Sequence, residues 1–362
     1  MIKVLLVADW HGGGIYAQAM YDGFGALGLD MHKFSWKEYF HHYQFKGYYP
    51  IDNNPWKSVY YRFQNKFIFG PVLWKINRDL LKKCKDINPD LLFIYRGTHI
   101  YPRTLMEVKK KCPECFIFGY NNDDPFSVAY PKYLWRLYKR GLSMYDHLFA
   151  YRAKNIEDYR KLGFLRTSVL KPYYVRQSNY PYSGTDAYAC DVCFIGHYEG
   201  DGRDTVLLQI LKSGINLKLF GTDWQRSPLY QELVDLLHVP CIQPVYSDYN
   251  LAISSAKIAL VFLSKLNNDV YTRRCFEIPA TKTMMLCIRT ESMLNMFKED
   301  HEAAYFSGTD ECIEKIFYYL QNGRYAVVGE NGYLRLIRDR HEVTDRCEEV
   351  LKIYNTYLCV SE

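Results

Sequence analysis

The sequence predicts an α/β protein with two domains, each built on a parallel sheet. Short apolar runs alternate with stretches of helical periodicity in two series, one starting at Lys3 and the other at Asp191. This alternation is typical of parallel strands flanked by helices. Between the series, residues 177–188 are rich in Tyr, Ser, Pro and Gly without a period, which predicts an interdomain linker. A chain of 362 residues is long enough for two such domains, and we place them at 1–176 and 189–340.

The strands are predicted where the apolar runs are short and continuous, as expected for strands buried on both faces. In the first domain these runs are 3–8, 31–36, 91–95, 116–120 and 147–151. In the second domain they are 191–196, 217–220, 258–263, 284–288 and 303–306. Helical patterns are clearest at 102–111 and 310–322. Residues 39–75 have no clean period and contain three X-Pro steps, which predicts an irregular, partly helical aromatic insertion.

The composition indicates a globular protein from a reducing compartment. Hydrophobic residues are 48% and charged residues 24%, which excludes a disordered chain. No apolar run reaches the roughly 18 residues of a spanning helix, and the N-terminus has the pattern of a buried strand. Eleven cysteines, mostly in apolar segments, indicate buried thiols in the cytoplasm.

Two Cys-x-x-Cys pairs raise the question of a zinc site. They are Cys112 with Cys115 and Cys190 with Cys193. The second pair lies in a predicted strand, where residues three apart point to opposite faces. We therefore expect no metal site.

Charge and aromatic content leave the nature of the partners open. The net charge of +6 suits an anionic substrate or an anionic lipid, and no nucleic-acid partner is expected. The chain contains 34 Tyr and 20 Phe, and many of the rings between Phe34 and Trp74 are interleaved with Lys and Arg. This segment is either a surface that docks a membrane or a sugar acceptor, or part of an aromatic core.

A glycine-rich loop follows the first strand and opens a helix. Gly12, Gly14 and Ala17 satisfy the dinucleotide fingerprint, and Glu38 follows the second strand. An NAD-dependent Rossmann oxidoreductase is therefore one alternative. In the same loop, Asp9 and His11 are candidate acid/base groups, although a loop aspartate also caps helices.

Two adjacent carboxylates follow the predicted strand 116–120. Asp123 and Asp124 precede Pro125 at the carboxyl end of this strand. Such a pair can act as a catalytic base, an acceptor ligand or a metal ligand. The Asp-Asp-Pro sequence is also ordinary turn chemistry, so both interpretations stay open.

The second series begins with a strand that ends at Gly196. His197 follows directly, and Arg203 starts the next helical pattern after two further glycines. Glycines admit phosphates, a helix N-terminus favours negative charge, and arginine binds phosphate through two N–H groups. This loop is predicted to bind a diphosphate.

Residues 260–289 form a predicted strand, polar loop, helix and strand. In the helix, Arg273, Arg274 and Glu277 are three and four residues apart and share one face. Two guanidiniums suit a diphosphate, and a carboxylate suits the diol of a ribose. The alternative is an exposed Arg–Glu pair without a ligand.

These motifs resemble the CgeB-like glycosyltransferases, relatives of the group-1 glycosyltransferases with the GT-B fold. The resemblance is carried by Arg-x-Phe-Glu-Ile-Pro-Ala at 274–280, Arg-Thr-Glu at 289–291, Glu-Ala-Ala-Tyr-Phe at 302–306 and Asp310. Asp-Asp-Pro at 123–125 and Gly-Thr-Asp-Trp at 221–224 add to it. Thr281-Lys282 replaces the glycine that the family usually has after Pro-Ala.

The resemblance implies two Rossmann-like domains facing each other across a cleft, with a C-terminal helix at 341–362 packing back on the first domain. It implies that Asp269 contacts the donor sugar and Glu277 the ribose. The basic residues near the donor diphosphate are then Arg203, Lys265, Arg273 and Arg274, with His197 beside them. Gly12, Gly13 and Gly14 are expected to face the acceptor.

The implied activity is transfer of a hexosyl or deoxyhexosyl group from a nucleotide-diphosphate sugar. The acceptor class is a saccharide, a lipid-linked molecule or a protein, as in polysaccharide biosynthesis, and neither metal nor cofactor is expected. The implied location is the cytoplasm or the cytoplasmic face of a membrane. A non-catalytic nucleotide-sugar binding protein is a further alternative.

Overall fold

A computed structural model describes residues 1–10, 15–40, 54–321 and 323–361. The chain divides into two compact units, unit 1 with Met1–Lys171 and Val343–Glu362, and unit 2 with Pro172–Glu342. Residues 177–188, predicted as a linker, belong to unit 2. There the Thr185 N–H donates to Ser255 Oγ at 3.0 Å. The candidate residues His11, Gly12, Gly13 and Gly14 lie outside the described residues.

In the described part of unit 1, six parallel strands form one sheet in the order β2-β1-β3-β4-β5-β6. The strands are β1 (Lys3–Ala8), β2 (Asp30–Ser35), β3 (Leu91–Tyr95), β4 (Phe116–Asn121), β5 (His147–Ala150) and β6 (Thr167–Val169). The helices are α1 (Ala17–Ala26), α2 (Pro55–Phe67), α3 (Pro71–Ile87), α4 (Pro102–Lys111), α5 (Arg136–Arg140), α6 (Ala153–Lys161) and α14 (Val343–Ser361). All five residues of β3 are buried, as a central strand covered on both faces requires.

Unit 2 repeats this architecture with a five-stranded sheet in the order β11-β10-β9-β7-β8, again all parallel. Its strands are β7 (Cys190–Ile195), β8 (Leu217–Phe220), β9 (Ala256–Val261), β10 (Met284–Ile288) and β11 (Ala304–Phe306). Its helices are α7 (Arg203–Lys212), α8 (Tyr230–Leu237), α9 (Tyr249–Ser254), α10 (Arg274–Ala280), α11 (Glu291–Met296), α12 (Thr309–Gln321) and α13 (Arg324–Arg338).

The segment 39–75, predicted to be irregular and partly helical, is mostly helical in its described part. Asn54 caps α2, where its Oδ1 accepts from the Trp56 N–H at 3.0 Å. Pro55 and Pro71 occupy the first positions of α2 and α3. A proline at that position has the required φ and lacks an N–H that would have no partner, so these prolines start helices instead of interrupting them.

The C-terminal helix packs within unit 1. Cys347 Sγ lies 3.5 Å from the Met20 carbonyl oxygen of α1. Near the other end of α14, the Tyr357 hydroxyl donates to the Asp146 carbonyl at 2.8 Å. A Cβ added at Gly23 would lie 2.9 Å from Cys347 Sγ, so the two helices approach closely.

Cys190 and Cys193 do not point to opposite faces as predicted, because their two thiols interact with each other. The N–H groups of Asp191 and Val192 both donate to the Asn216 carbonyl. The interaction with the Cys193 thiol lowers the pKa of Cys190.

Candidate functional site

A cavity of about 540 Å³ lies at the carboxyl edge of the unit 2 sheet. Its walls are the first turn of α7, the loop after β9, and the residues that follow β10 and β11. The chain runs from β7 to β8 on one side and returns to β9 on the other, so this edge contains the topological switch point between β7 and β9. Open α/β sheets bind ligands at this position. The lining polar residues include Asp201, Arg203, Ser264, Lys265, Asn268, Asp269, Thr290, Ser307 and Thr309.

Arg203 lines the cavity but is held firmly by its own loop. Its Nε and Nη2 donate to the two oxygens of Asp201 at 2.9 and 2.7 Å, and its Nη1 donates to the His197 carbonyl at 2.8 Å. The guanidinium also lies over the Phe262 ring. Buried and paired with Asp201, this arginine fixes the loop and carries little net positive charge toward a ligand.

Gly196 and His197 do not line the cavity. The Gly196 carbonyl accepts from Trp224 Nε1 at 2.9 Å, and a Cβ on Gly221 would lie 1.8 Å from the same oxygen. The absence of a side chain at Gly221 thus allows the ends of β7 and β8 to approach. The exposed His197 ring bonds to Glu199 at 2.8 Å. Burial raises the pKa of Glu199, but His197 and Arg203 outweigh it and the pKa is lowered.

Lys265 and Asp269 lie on the loop after β9 and line the cavity. The Lys265 ammonium is exposed and lies 3.4 Å from the Asp201 carbonyl oxygen across the opening. The Asp269 N–H donates to the Ser264 carbonyl at 2.9 Å, which closes the loop into a turn. A cation and a carboxylate therefore lie together on one wall of polar residues.

Glu277 is buried and held by hydrogen bonds from Arg273 and Tyr249, and it does not line the cavity. Its Oε1 accepts from Arg273 Nε and Nη2 at 2.9 and 2.7 Å, and its Oε2 accepts from the Tyr249 hydroxyl at 2.7 Å. Burial raises the pKa of Glu277, but Arg273, Tyr249 and Arg274 outweigh it and lower the pKa. The carboxylate is therefore charged at neutral pH, and the alternative of an exposed Arg–Glu pair is wrong.

The two arginines beside Glu277 differ in environment. Arg273 precedes α10 and its guanidinium lies over the Tyr173 ring, 5.0 Å from the ring centre. Arg274 begins α10, and its buried Nε has no hydrogen-bond partner among the described residues. The sequence predicts a helical pattern over 271–280, so its predicted start is three residues earlier than that of α10. After α10, Lys282 adopts φ +63°, the left-handed conformation that glycine takes most readily.

Unit 1 also gathers charged side chains at the carboxyl edge of its sheet. Arg96 Nη2 lies 3.1 Å from Asp123 Oδ2, and its Nη1 lies 3.9 Å from Asp9 Oδ2. Arg96 adopts φ +60°, an uncommon conformation for a residue with a side chain. Asp9 and Asp123 thus meet around one arginine that follows β3, at the switch point between β1 and β3.

Asp124 has a different environment from its neighbour Asp123. It is fully buried, and its Oδ1 accepts from Asn155 Nδ2 at 2.8 Å and from the Phe126 N–H at 2.9 Å. Lys154 lies 3.4 Å from the other oxygen. These bonds form the turn and anchor it to α6, so the structural interpretation holds for Asp124.

Three parts of these sites were absent from the sequence predictions. They are Asp201, which pairs with Arg203; Arg96, which joins Asp9 and Asp123; and Ser307 to Thr309, which form a wall of the cavity. The available signal was positional, because each of them directly follows a predicted strand or precedes a predicted helix. Pairing of such side chains is decided by the tertiary structure.

The two units together define the class of fold. Sucrose-phosphate synthase from Thermosynechococcus elongatus has a TM-score of 0.71 to this chain at 12% identity, covering 99% of this chain and 100% of its own. HepE of Anabaena, in complex with UDP and glucose, gives 0.67 at 10% identity, covering 98% and 100%. A glycosyltransferase from Rickettsia africae gives 0.65 at 12% identity, covering 99% and 98%. The chain has two Rossmann-like domains of the GT-B type.

A family match adds to this fold assignment. Residues 203–352 match a family model described as glycosyl transferase-like. The matched part begins at Arg203 and includes the loop after β9 and α10. No curated protein matches the chain. The match and the fold support a glycosyltransferase of the group-1 kind, while the narrower resemblance to CgeB-like enzymes stays a prediction.

Proposed function

We propose that this protein transfers a sugar from a nucleotide-diphosphate donor to a saccharide, lipid-linked or protein acceptor. The observation that carries the proposal is the cavity of about 540 Å³ at the switch point of the unit 2 sheet, most of whose lining residues lie in the part that matches the glycosyl transferase-like family model. Cavities of about 300–1,000 Å³ are typical for ligands of this size. HepE of Anabaena binds UDP and UDP-glucose. A uridine nucleotide is therefore the first donor to test.

Lys265 is the residue we assign to the donor diphosphate. Its ammonium is exposed at the cavity, whereas Arg203 is already paired with Asp201. Arg203 then positions the loop at the N-terminus of α7, whose N–H groups favour an anion. Arg274 is a second candidate because its Nε has no hydrogen-bond partner among the described residues. These cations would stabilise the leaving diphosphate without a metal.

Asp269 and Glu277 are assigned to the sugar and the ribose. Asp269 lies in the cavity wall, where its carboxylate can accept hydrogen bonds from sugar hydroxyls. Oε2 of Glu277 has a second lone pair beyond its bond from Tyr249, and the lowered pKa of the carboxyl keeps this oxygen an acceptor for a ribose hydroxyl. Arg273 and Tyr249 would hold this carboxylate in a fixed orientation.

Asp123 and Asp9 are the candidate acid/base groups in unit 1, with His11 as a third outside the described residues. Asp124 is less suited because its carboxylate is fully buried and forms a turn. Asp123→Asn is expected to lose turnover and keep donor binding, because the change removes the base while leaving unit 2 intact. Turnover near that of the wild type would contradict this role.

The donor assignment is tested by calorimetric titration of UDP, UDP-sugars, other nucleoside diphosphates and NAD(H). Lys265→Ala is expected to weaken nucleoside-diphosphate binding by about 10- to 100-fold, the loss of one charged hydrogen bond. Lys298→Ala, an exposed lysine away from the cavity, serves as the matched control and is expected to bind as the wild type does. Binding of NAD(H) alone would overturn the proposal in favour of the oxidoreductase.

Two further assays separate transfer from binding alone. Release of nucleoside diphosphate from a bound sugar nucleotide, with and without added acceptor, supports a transferase; tight binding without release supports a binding protein. The donor sugar is proposed to be a hexose or deoxyhexose, as in polysaccharide biosynthesis by CgeB-like enzymes. We infer a cytoplasmic location, because all eleven cysteines are free thiols and nine are buried.

A further inference from the structure

Helix α2 in unit 1 has its apolar side chains on the outside. Trp56, Val59, Tyr60 and Phe63 are 82%, 58%, 41% and 55% exposed, respectively. Their spacing of three and four residues places them on one stripe of the helix. The buried residues of α2 are instead Gln64 and Asn65. A helix that buries amides and exposes rings has the reverse of the usual amphipathic arrangement.

Basic residues flank this apolar stripe. At 100° per residue, Lys57 lies on one side of the stripe, and Arg62 and Lys66 lie on the other. Helix α2 contains three Lys or Arg and no Asp or Glu, which gives the helix a charge of +3. This positive charge lies beside the exposed rings.

We propose that α2 docks unit 1 on the surface of a lipid bilayer that contains anionic lipids. An interfacial helix inserts Trp and Phe at the boundary of headgroups and acyl chains, while Lys and Arg on its flanks bind anionic headgroups. Trp is the residue best suited to this boundary because its ring is apolar and its N–H is polar. Within the described residues, no helix is long and apolar enough to cross a membrane, so contact through α2 would be peripheral.

The charge pattern favours a bilayer over a second copy of this chain. Two copies paired through α2 would bring two sets of three positive charges together, which opposes association. An anionic bilayer supplies the opposite charge over a broad area, and its headgroups adapt to several lysines at once. Docking through α2 goes beyond the proposed sugar transfer and does not depend on it.

The test is sedimentation of the full chain with vesicles of phosphatidylcholine, with and without phosphatidylglycerol. The wild type is expected to bind the vesicles with phosphatidylglycerol, and binding should fall as salt screens the charges. Trp56→Ser with Phe63→Ser should reduce the partition coefficient at least about tenfold, because two rings no longer enter the interface. Lys57→Gln and Lys66→Gln should each reduce it about fivefold.

Matched controls separate docking through α2 from nonspecific binding to the vesicles. Tyr246 is 80% exposed in unit 2, and Tyr246→Ser and Lys298→Gln are expected to bind vesicles as the wild type does. Circular dichroism and gel filtration check that each variant is folded and monomeric. Absence of binding to phosphatidylglycerol vesicles, equal binding by the double serine variant, or a self-association that this variant abolishes would each overturn the proposal.

Discussion

The carboxyl edges of the two sheets both place charged residues at the switch point, but they use them differently. In unit 1, Arg96 follows β3 at the switch point and lies between Asp9 and Asp123. In unit 2, Arg203 begins the helix after β7 and is bound by Asp201. The unit 1 groups are largely buried, whereas the unit 2 edge opens into a cavity of about 540 Å³ with exposed Lys265 in its wall.

This difference separates residues that stabilise the loops of a site from residues that are accessible to a ligand. The buried pairs of Arg203 with Asp201 and of Arg273 with Glu277 fix the loops around the cavity. A buried pair contributes little net stability, but losing one partner leaves an uncompensated charge. We therefore expect substitutions in the pairs to act mainly on stability and substitutions in the cavity wall to act mainly on binding.

The largest effect is expected from Glu277→Ala. It leaves the guanidinium of Arg273 buried without its partner and removes the acceptor of the Tyr249 hydroxyl. The free energy of unfolding should fall by about 3–5 kcal/mol, measured by urea denaturation.

The matched control is Glu330→Ala, which breaks an ion pair with Lys282 in which both side chains are more than a third exposed. The expected loss there is at most about 1 kcal/mol. If the two variants lose equal stability, the buried pair of Arg273 and Glu277 does not stabilise the fold more than an exposed ion pair does. Unit 2 would then give no basis for separating structural residues from residues that bind a ligand.

A smaller loss, about 2–3 kcal/mol, is expected from Asp124→Ala in unit 1. The change leaves buried donors on Asn155 and Phe126 without their acceptor. Asp22→Ala, which removes an exposed carboxylate bonded to Gln18, should cost less than about 0.5 kcal/mol. If Asp124→Ala leaves the free energy of unfolding unchanged but abolishes turnover, Asp124 becomes a candidate base again.

Sequence patterns predicted the sheets well because their strands are continuous apolar runs. The predicted bounds agree with the structure for β3, β8 and α4. Helix α13 was not predicted, since Gly329 and Gly332 weaken its pattern. Both glycines are needed because a Cβ there would lie 2.2 and 2.5 Å from the carbonyl oxygens of Lys282 and Glu302.

The candidate site was predicted in outline only. Lys265, Asp269 and Arg203 line the cavity, as their positions after β9 and β7 suggest. The carboxylate of Glu277 accepts a hydrogen bond from Tyr249, which lies 28 residues earlier and reaches it only in the folded unit. No local pattern reports such a contact, so spacing identified the charged residues but not which of them remain accessible.

Lowering the pH is expected to destabilise unit 1, because His99 is buried near Arg96 at the carboxyl edge of its sheet. Burial, with help from Arg96, lowers the pKa of His99 to about 3. Between pH 6.5 and 3 the unfolded chain binds a proton that the folded chain does not, so stability falls as the pH falls. At pH 5.5 this loss should be about 1 kcal/mol relative to pH 7.5.

The measurement is urea denaturation of the wild type and His99→Phe at both pH values. The phenylalanine keeps a ring against Trp36, on which His99 stacks at 3.7 Å between centroids. The variant should lose about 1 kcal/mol less than the wild type on acidification. His238→Asn, at an exposed position, should keep the full dependence. Equal acid loss in His99→Phe and the wild type would show that His99 does not titrate in this way.

The smallest effect on stability is expected from Gly308→Ser, which acts on the cavity wall of unit 2. The Gly308 carbonyl accepts from the Cys312 N–H at 3.1 Å, so the residue caps α12, and serine is a preferred cap. A Cβ at Gly308 meets nothing within 4 Å, so the change in unfolding free energy should stay below about 0.5 kcal/mol.

Gly200→Ser is the matched control, a glycine outside the cavity with similar space. If nucleoside-diphosphate affinity changes in Gly308→Ser and not in Gly200→Ser, the ligand contacts this wall; equal affinity in both would confine the donor to the side formed by Lys265 and Asp269.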